Sequence, residues 1–235
     1  MSKVIVAAHR GVATGAAENT IEAFTNAIDI GAGMIEFDVR RTRDGELIAF
    51  HDARVNGIAV GSLTRDDIEA GAGVRPPLLT DVLGACAGRI KLDVELKEDG
   101  YVPEVMAALK AISDPGEFIV TSFLPSAVGA AKIEFPPAKT GLLVGGTARW
   151  AGLPTSLREL FPVGLARQVR ADYLAPHYTL DQFGTIDRAA AAGLPCLLWT
   201  VNADSDIRAF AADPRVEVII TDRAERALEI VAAAT

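Results

Sequence analysis

Short apolar, β-branched runs recur along the chain and alternate with longer, alanine-rich runs of helical character. The short runs are Val4–Ala8, Met34–Val39, Leu47–Phe50, Ile90–Leu96, Phe118–Ser122, Thr140–Val144, Asp172–Ala175, Pro195–Val201 and Val216–Thr221. The helical runs are Thr20–Ile30, Val102–Ile112, Ser126–Glu134, Ser156–Arg167, Leu180–Ala192, Ser205–Ala212 and Arg223–Ala233. Strands that alternate with helices form βαβ units, because a parallel neighbour is reached only through a crossover of about a dozen residues or more. The expected class is α/β, with a mostly parallel sheet inside a layer of helices. At 235 residues the chain has the size of a single (β/α)8 TIM barrel, roughly 250 residues.

Nine strand candidates are one too many for such a barrel. Only the seven residues RRTRDGE separate Val39 from Leu47, too few for a parallel crossover. Asp44-Gly45 within them is a hairpin turn signal. Leu47–Phe50 is therefore expected to fold back antiparallel on the second strand as a hairpin arm. That leaves eight barrel strands and puts His51 on a loop above one mouth. Residues 52–80, punctuated by Gly57, Gly61, Gly71, Gly73 and Pro76-Pro77, read as a small loop insertion over that mouth. The whole of 1–235 is expected to be one domain.

A composition of 50% hydrophobic and 23% charged residues excludes disorder for the bulk of the chain. The net charge of −8 argues against nucleic-acid partners and anionic membrane surfaces. It leaves room for one small anionic ligand at a locally cationic spot. Two cysteines, Cys86 and Cys196, are too few for a disulfide scaffold and read as buried thiols. The run Val4–Ala8 is too short for a signal-peptide core, and no apolar stretch of about 18 residues suggests a membrane span. A cytoplasmic protein without stable membrane insertion is expected. Oligomeric state has no signature in the sequence.

In a barrel of this type the active site forms at the C-terminal ends of the strands. Ionisable residues gather at those ends: His9-Arg10-Gly11, Glu36-Phe37-Asp38, Asp93-Val94-Glu95-Leu96-Lys97, Trp199-Thr200-Val201-Asn202 and Thr221-Asp222. Glu36 and Asp38 share a face of their strand, as do Asp93, Glu95 and Lys97. One such pair alone would be read as pointing outward to helices. Two inward sets on adjacent strands repel each other and need a partner. All-oxygen ligands favour one hard divalent cation, Mg²⁺ or Ca²⁺. His9 and His51, beside these carboxylates, suit a general acid and a general base. Arg10 and Lys97 suit phosphate oxygens, or charge balance for the carboxylates, or both.

Together these groups describe hydrolysis of a phosphate ester or diester. No Gly-rich phosphate loop and no G-x-S-x-G elbow is present, which excludes the common nucleotide and serine-hydrolase chemistries. Weaker candidates remain. Trp199 reads as core or as an apolar wall for a leaving alcohol. Asn19 reads by default as a helix cap, and His177 equally as packing or as a substrate contact.

The sequence resembles the glycerophosphodiester phosphodiesterase family. The resemblance is carried by His9-Arg10-Gly11, Glu18-Asn19-Thr20 with Ala23-Phe24, Glu36-Phe37-Asp38-Val39, Thr42 with Asp44-Gly45, His51-Asp52, Glu95-Leu96-Lys97, Thr121-Ser122-Phe123, Trp199-Thr200-Val201-Asn202 and Ile219-Ile220-Thr221-Asp222. It implies a barrel and metal-dependent hydrolysis of a small glycerophosphodiester to glycerol 3-phosphate and an alcohol. It also implies His9 and His51 as the acid/base pair, Glu36, Asp38 and Glu95 as metal ligands, and Arg10 and Lys97 as phosphate contacts. Which histidine is acid, and whether water or a substrate hydroxyl attacks, stay open. The chain departs from the family at Asp93, where Asn is frequent, at Val216-Glu217-Val218, where Asp-Gly is common, and in its short insertion after His51. These departures bear on the leaving alcohol. Competing readings are a lysophospholipase D or sphingomyelinase D-like enzyme, a non-catalytic phosphodiester-binding barrel, and a barrel lyase or isomerase.

Overall fold

The computed structural model describes residues 4–112, 114–145 and 162–233. In chain order the elements are β1 (Ile5–His9), α1 (Ile21–Asp29), β2 (Met34–Arg41), β3 (Leu47–Ala49), β4 (Arg54–Val55), β5 (Ile58–Ala59), α2 (Arg65–Ala72) and α3 (Leu79–Cys86). There follow β6 (Lys91–Leu96), α4 (Val102–Ile112), β7 (Phe118–Ser122), α5 (Pro125–Glu134), β8 (Lys139–Val144), α6 (Pro162–Gln168) and β9 (Tyr173–Pro176). The chain ends with α7 (Thr185–Ala191), β10 (Cys196–Leu198), α8 (Asp204–Ala211), β11 (Val216–Thr221) and α9 (Ala224–Ala233). Strands β1, β2, β6, β7, β8, β9, β10 and β11 pair in parallel in that order, and β11 returns to β1. The result is a closed (β/α)8 barrel. No helix among the described residues is long and apolar enough to cross a membrane.

Strand alternation splits the barrel residues into two apolar sets. Val6, Ile35, Phe37, Leu92, Val94, Val120 and Leu174 point outward and pack under the helices. Ala7, Met34, Ile119, Leu143, Tyr173, Leu197 and Val218 point inward and plug the lumen. The inward positions turn polar towards the strand C-termini, at His9, Glu36, Asp38, Asp93, Glu95 and Thr121, all but His9 buried. Apolar filling therefore closes one end of the barrel and leaves the other for chemistry.

Strand β3 pairs antiparallel with β2, Val39 opposite Ala49 and Arg41 opposite Leu47. The turn is closed by Thr42 N–H donating to the Glu46 carbonyl at 2.9 Å, with Gly45 at φ 88°. The expected hairpin arm is present, and His51 follows it directly.

Residues 52–80 are more ordered than the expected loop. They hold the β4–β5 ribbon, a 3-10 turn at Val60–Ser62 and α2, whose capping box joins Thr64 and Asp67. Val55, Val60, Leu63 and Ile68 close a small apolar core on Ile48 of the arm. Helix α3, on the barrel exterior, was not expected. Its N-terminus has no side-chain cap, so the usual start signal is missing. The expected helix Leu180–Ala192 is divided at Gly184, φ 70°, into a 3-10 turn (Tyr178–Phe183) and α7. Strand β10 ends at Leu198, short of the expected Val201. Of the expected helix Ser156–Arg167, residues 156–161 lie outside the described residues.

Candidate active site

Register brings the acidic strands together. His9 stands beside Glu36, Glu36 beside Asp93, and Asp38 beside Glu95 across neighbouring strands. Because side chains alternate, all five enter the same lumen. Oxygens of Glu36, Asp38 and Glu95 lie within 4.8 Å of one another. A cavity of about 330 Å³ opens above them, lined on one side by His9, Arg10, Glu36, His51, Glu95 and Lys97. Phe123, Leu143, Trp199 and Ile220 form its opposite, apolar wall. Asp38 is 1% exposed and lies below Arg10 and Lys97.

Each polar group has a structural reason for its position. The chain leaves β1 through Arg10 and Gly11, both in the left-handed region at φ 56° and 82°. A Cβ at Gly11 would sit 2.7 Å from the Ala23 backbone, so only glycine lets α1 approach this closely. The turn aims the Arg10 N–H at Glu36 Oε2, 3.1 Å away, and brings Nε to within 3.3 Å of Asp38. Glu18 holds the other end of Arg10 at 2.9 Å. Lys97 Nζ bridges Asp38 Oδ1 at 2.7 Å and Glu95 Oε1 at 2.5 Å. Thr20 caps α1, while Asn19 is buried, donating from Nδ2 to Asp38 Oδ2 at 2.8 Å. Asn19 is therefore a support for Asp38.

The histidines differ in their support. His9 Nδ1 lies 2.5 Å from Asp222 Oδ1, and Asn202 Nδ2 donates to the other oxygen of Asp222 at 2.6 Å. His9 Nε2 is left towards Glu36, 3.8 Å away. His51 Nδ1 meets Asp52 at 3.0 Å. His177 pairs with Thr179 at 2.7 Å and packs edge-on to Trp199, ring centroids 5.0 Å apart. It lines no part of the cavity wall just described. Trp199 spends its indole N–H on the Ala175 carbonyl, at 2.8 Å, and meets Phe123 edge-on. Phe123, 39% exposed, was not singled out in the sequence, although the stretch Thr121-Ser122-Phe123 contains it. Asp222 and Asn202 were seen at strand ends without a role. None of the residues 53–80 lines the cavity.

Electrostatics set the site under tension. Burial, reinforced by the charges of Asp38, Glu95 and Asp93, raises Glu36 well above the usual carboxylate range. Burial also raises Glu95. Asp93, fully buried, is pushed up to about 7 by burial, against a 2.7 Å hydrogen bond from Thr121 that lowers it. Burial pulls Asp38 in the same direction, but Lys97 and Arg10 overcome it and hold Asp38 low. Burial lowers His51, favouring the neutral imidazole. Buried Glu36 Oε1 and Asp93 Oδ2 make no hydrogen bond. Unsatisfied, mutually repelling oxygens of this kind fit a hard divalent cation.

These features define a class: a (β/α)8-barrel enzyme whose mouth combines a buried acidic cluster, flanking cations and two histidines. The profile described as the glycerophosphoryl diester phosphodiesterase family matches residues 9–71. YhdW of Bacillus subtilis strain 168, placed by its name among the glycerophosphodiester phosphodiesterases, is 33% identical over 241 residues, covering 92% of this chain and 93% of its own. A glycerophosphodiester phosphodiesterase of Caldanaerobacter subterraneus subsp. tengcongensis is 28% identical, covering 97% and 98%. A crystal structure of a glycerophosphodiester phosphodiesterase from Parabacteroides distasonis superimposes with a TM-score of 0.80 at 22% identity, over 99% of this chain and 98% of that one. An Oleispira antarctica phosphodiesterase, solved with its product sn-glycerol-3-phosphate, superimposes at 0.74 and 20% identity, covering 98% and 97%. The chain belongs to the glycerophosphodiester phosphodiesterase family.

Proposed function

We propose that this protein hydrolyses glycerophosphodiesters to glycerol 3-phosphate and an alcohol, with one divalent cation, Mg²⁺ or Ca²⁺, held by Glu36, Asp38 and Glu95. The observation that carries the reading is the convergence of three close carboxylates, two cations and two histidines on one cavity. Relatives that span nearly the whole chain carry the same activity in their names. In this reading residues 1–235 work as one barrel domain on a diffusible substrate in the cytoplasm.

The cation, when bound, supplies Lewis-acid neutralisation of the phosphodiester charge. Arg10 and Lys97 lie beside the same carboxylates and bind the remaining phosphate oxygens, Arg10 as a fork and Lys97 as a point charge. His9, oriented through Nδ1 by Asp222, presents Nε2 to the cavity. His51, biased to its neutral form, faces the cavity from the arm. One imidazole takes the proton of the attacking hydroxyl, and the other delivers a proton to the leaving oxygen. Trp199 and Phe123 wall the apolar side.

That wall also favours a second reading. Its indole N–H is already spent, so it offers packing in place of hydrogen bonds, and a lysophospholipid could rest its acyl portion there. Purified protein is incubated with glycerophosphocholine, glycerophosphoethanolamine and lysophosphatidylcholine, with Mg²⁺ or Ca²⁺ added. Glycerol 3-phosphate is read with a coupled dehydrogenase and choline separately. Release of glycerol 3-phosphate from the deacylated diesters is expected. Choline release from the lysolipid alone would favour the second reading, and no release from any diester would overturn both.

A further inference from the structure

Arg40 lies two residues beyond Asp38 on β2, and its buried side chain turns towards the arm. Its Nε and Nη2 both donate to the backbone carbonyl oxygen of His51, at 2.9 and 2.8 Å. Its Nη1 pairs with Glu98. The Tyr101 hydroxyl lies 3.0 Å from Glu98 Oε2 and 2.5 Å from the Val39 carbonyl oxygen, which share its one proton. The Glu98 N–H donates to the same hydroxyl oxygen at 3.1 Å. The network thus joins the end of β2, the residue after Lys97, the start of α4 and His51.

His51 needs such a support. It follows a strand of only three residues, and its ring bonds to Asp52, whose side chain is 70% exposed. A guanidinium is planar, and two of its donors converging on one carbonyl oxygen hold that oxygen in place more firmly than a single bond can. A buried arginine also needs its charge answered, and Glu98 answers it.

We propose that Arg40, anchored by Glu98 and Tyr101, is a positioning residue for His51: it fixes where the imidazole enters the cavity. The inference rests on the reading of His51 as an acid/base group. Arg40 touches no substrate atom in this scheme, so its removal acts on kcat through His51 and spares substrate and metal binding.

The test measures Arg40→Met, Arg40→Lys and Glu98→Gln in the full-length protein, each alone and combined with His51→Ala. Kinetics on glycerophosphocholine are paired with Mg²⁺ affinity by titration calorimetry. Arg40→Met is expected to lower kcat by about tenfold to 10²-fold, the scale of a misplaced catalytic group, with little change in KM or metal Kd. Arg40→Lys should recover part of the loss, and Glu98→Gln, at a half-exposed site, should fold and show a smaller one. On the His51→Ala background the same changes should cost less than about twofold, because the coupled partner is gone. Equal losses in both backgrounds, or unchanged kcat in all three single variants, would overturn the proposal. Full kcat in His51→Ala would instead show that the reading of His51 fails, and the positioning role with it. Should Arg40→Met not fold, the lysine and glutamine variants carry the same comparison.

Discussion

His9 and His51 are held in contrasting ways, and their separate roles can be read from kinetics. His9 is buttressed by Asp222 and Asn202 on the barrel frame, His51 by a backbone fork from Arg40. Replacing either with alanine is expected to lower kcat by roughly 10²–10⁴-fold, with a smaller change in KM. A nitrophenyl diester needs little protonation of its leaving oxygen, so it should rescue only the variant that lost the general acid. Near-normal kcat in both variants on the natural diester would refute the pairing. Asp93 permits a second expectation. Its carboxyl titrates near 3.8 in the unfolded chain and at about 7 when folded. Between those values the folded protein holds a proton that the unfolded chain has released, so stability falls as pH rises through that window. Urea midpoints measured in chelator should decline from about pH 4 to 7, and Asp93→Asn should flatten part of that slope. The raised Glu36 and Glu95 act with the same sign. An unchanged slope in Asp93→Asn would refute the assignment.

At the level of elements, the sharpest constraint is the turn out of β1. A side chain at Gly11 meets the α1 backbone and must also adopt a left-handed φ. Gly11→Ala is therefore expected to lose about 1–3 kcal/mol in denaturant unfolding, the usual cost of such strain. A loss below a few tenths would show that α1 shifts freely. The strands of the barrel were readable because each is short, β-branched and bounded by turn residues. The hairpin arm was readable from a connection too short for a crossover. Helix α3 was not, since Leu79–Cys86 follows Pro76-Pro77 and begins without a capping side chain. The small core of residues 52–80 was hidden because its apolar members, Val55, Val60, Leu63 and Ile68, are spaced irregularly and meet on Ile48, with Phe50 and Leu78 beside them. In the site, the acidic pairs and His9 were legible from strand ends, and His51 from the His51-Asp52 cluster that follows the arm. Arg40 and Asp222 were not given roles, because their partners lie 11 and 213 residues away. Phe123 had no charge to draw attention to it.

For the molecule as a whole, the proposed metal site would link stability to divalent cations. A ligand that binds only the folded state adds about 2.7 kcal/mol at a hundred times its Kd. For a chain of this size that raises Tm by roughly 5–11 °C. Mg²⁺ or Ca²⁺ is therefore expected to raise the melting temperature and chelator to abolish turnover. Glu36→Gln or Asp38→Asn should weaken both effects. Full activity in excess chelator, with no metal in the purified protein, would refute the metal reading. Binding should also release protons, because the raised Glu36 and Glu95 must ionise to bind. Calorimetry in buffers of different ionisation enthalpy reads this directly.

The arm divides the working parts between two supports. The carboxylates, Arg10, Lys97 and His9 stand on or directly after barrel strands, whereas His51 stands at the end of a strut braced by its own small core. One jaw of the tool is thus built into the frame, and the other is carried on the strut and tied to the frame through Arg40. A substitution in that small core would reach His51 through the arm and leave the carboxylates, Arg10, Lys97 and His9 in place. Under the proposed function, lineages of such a chain could retune the acid/base geometry by mutations remote from the residues that line the cavity.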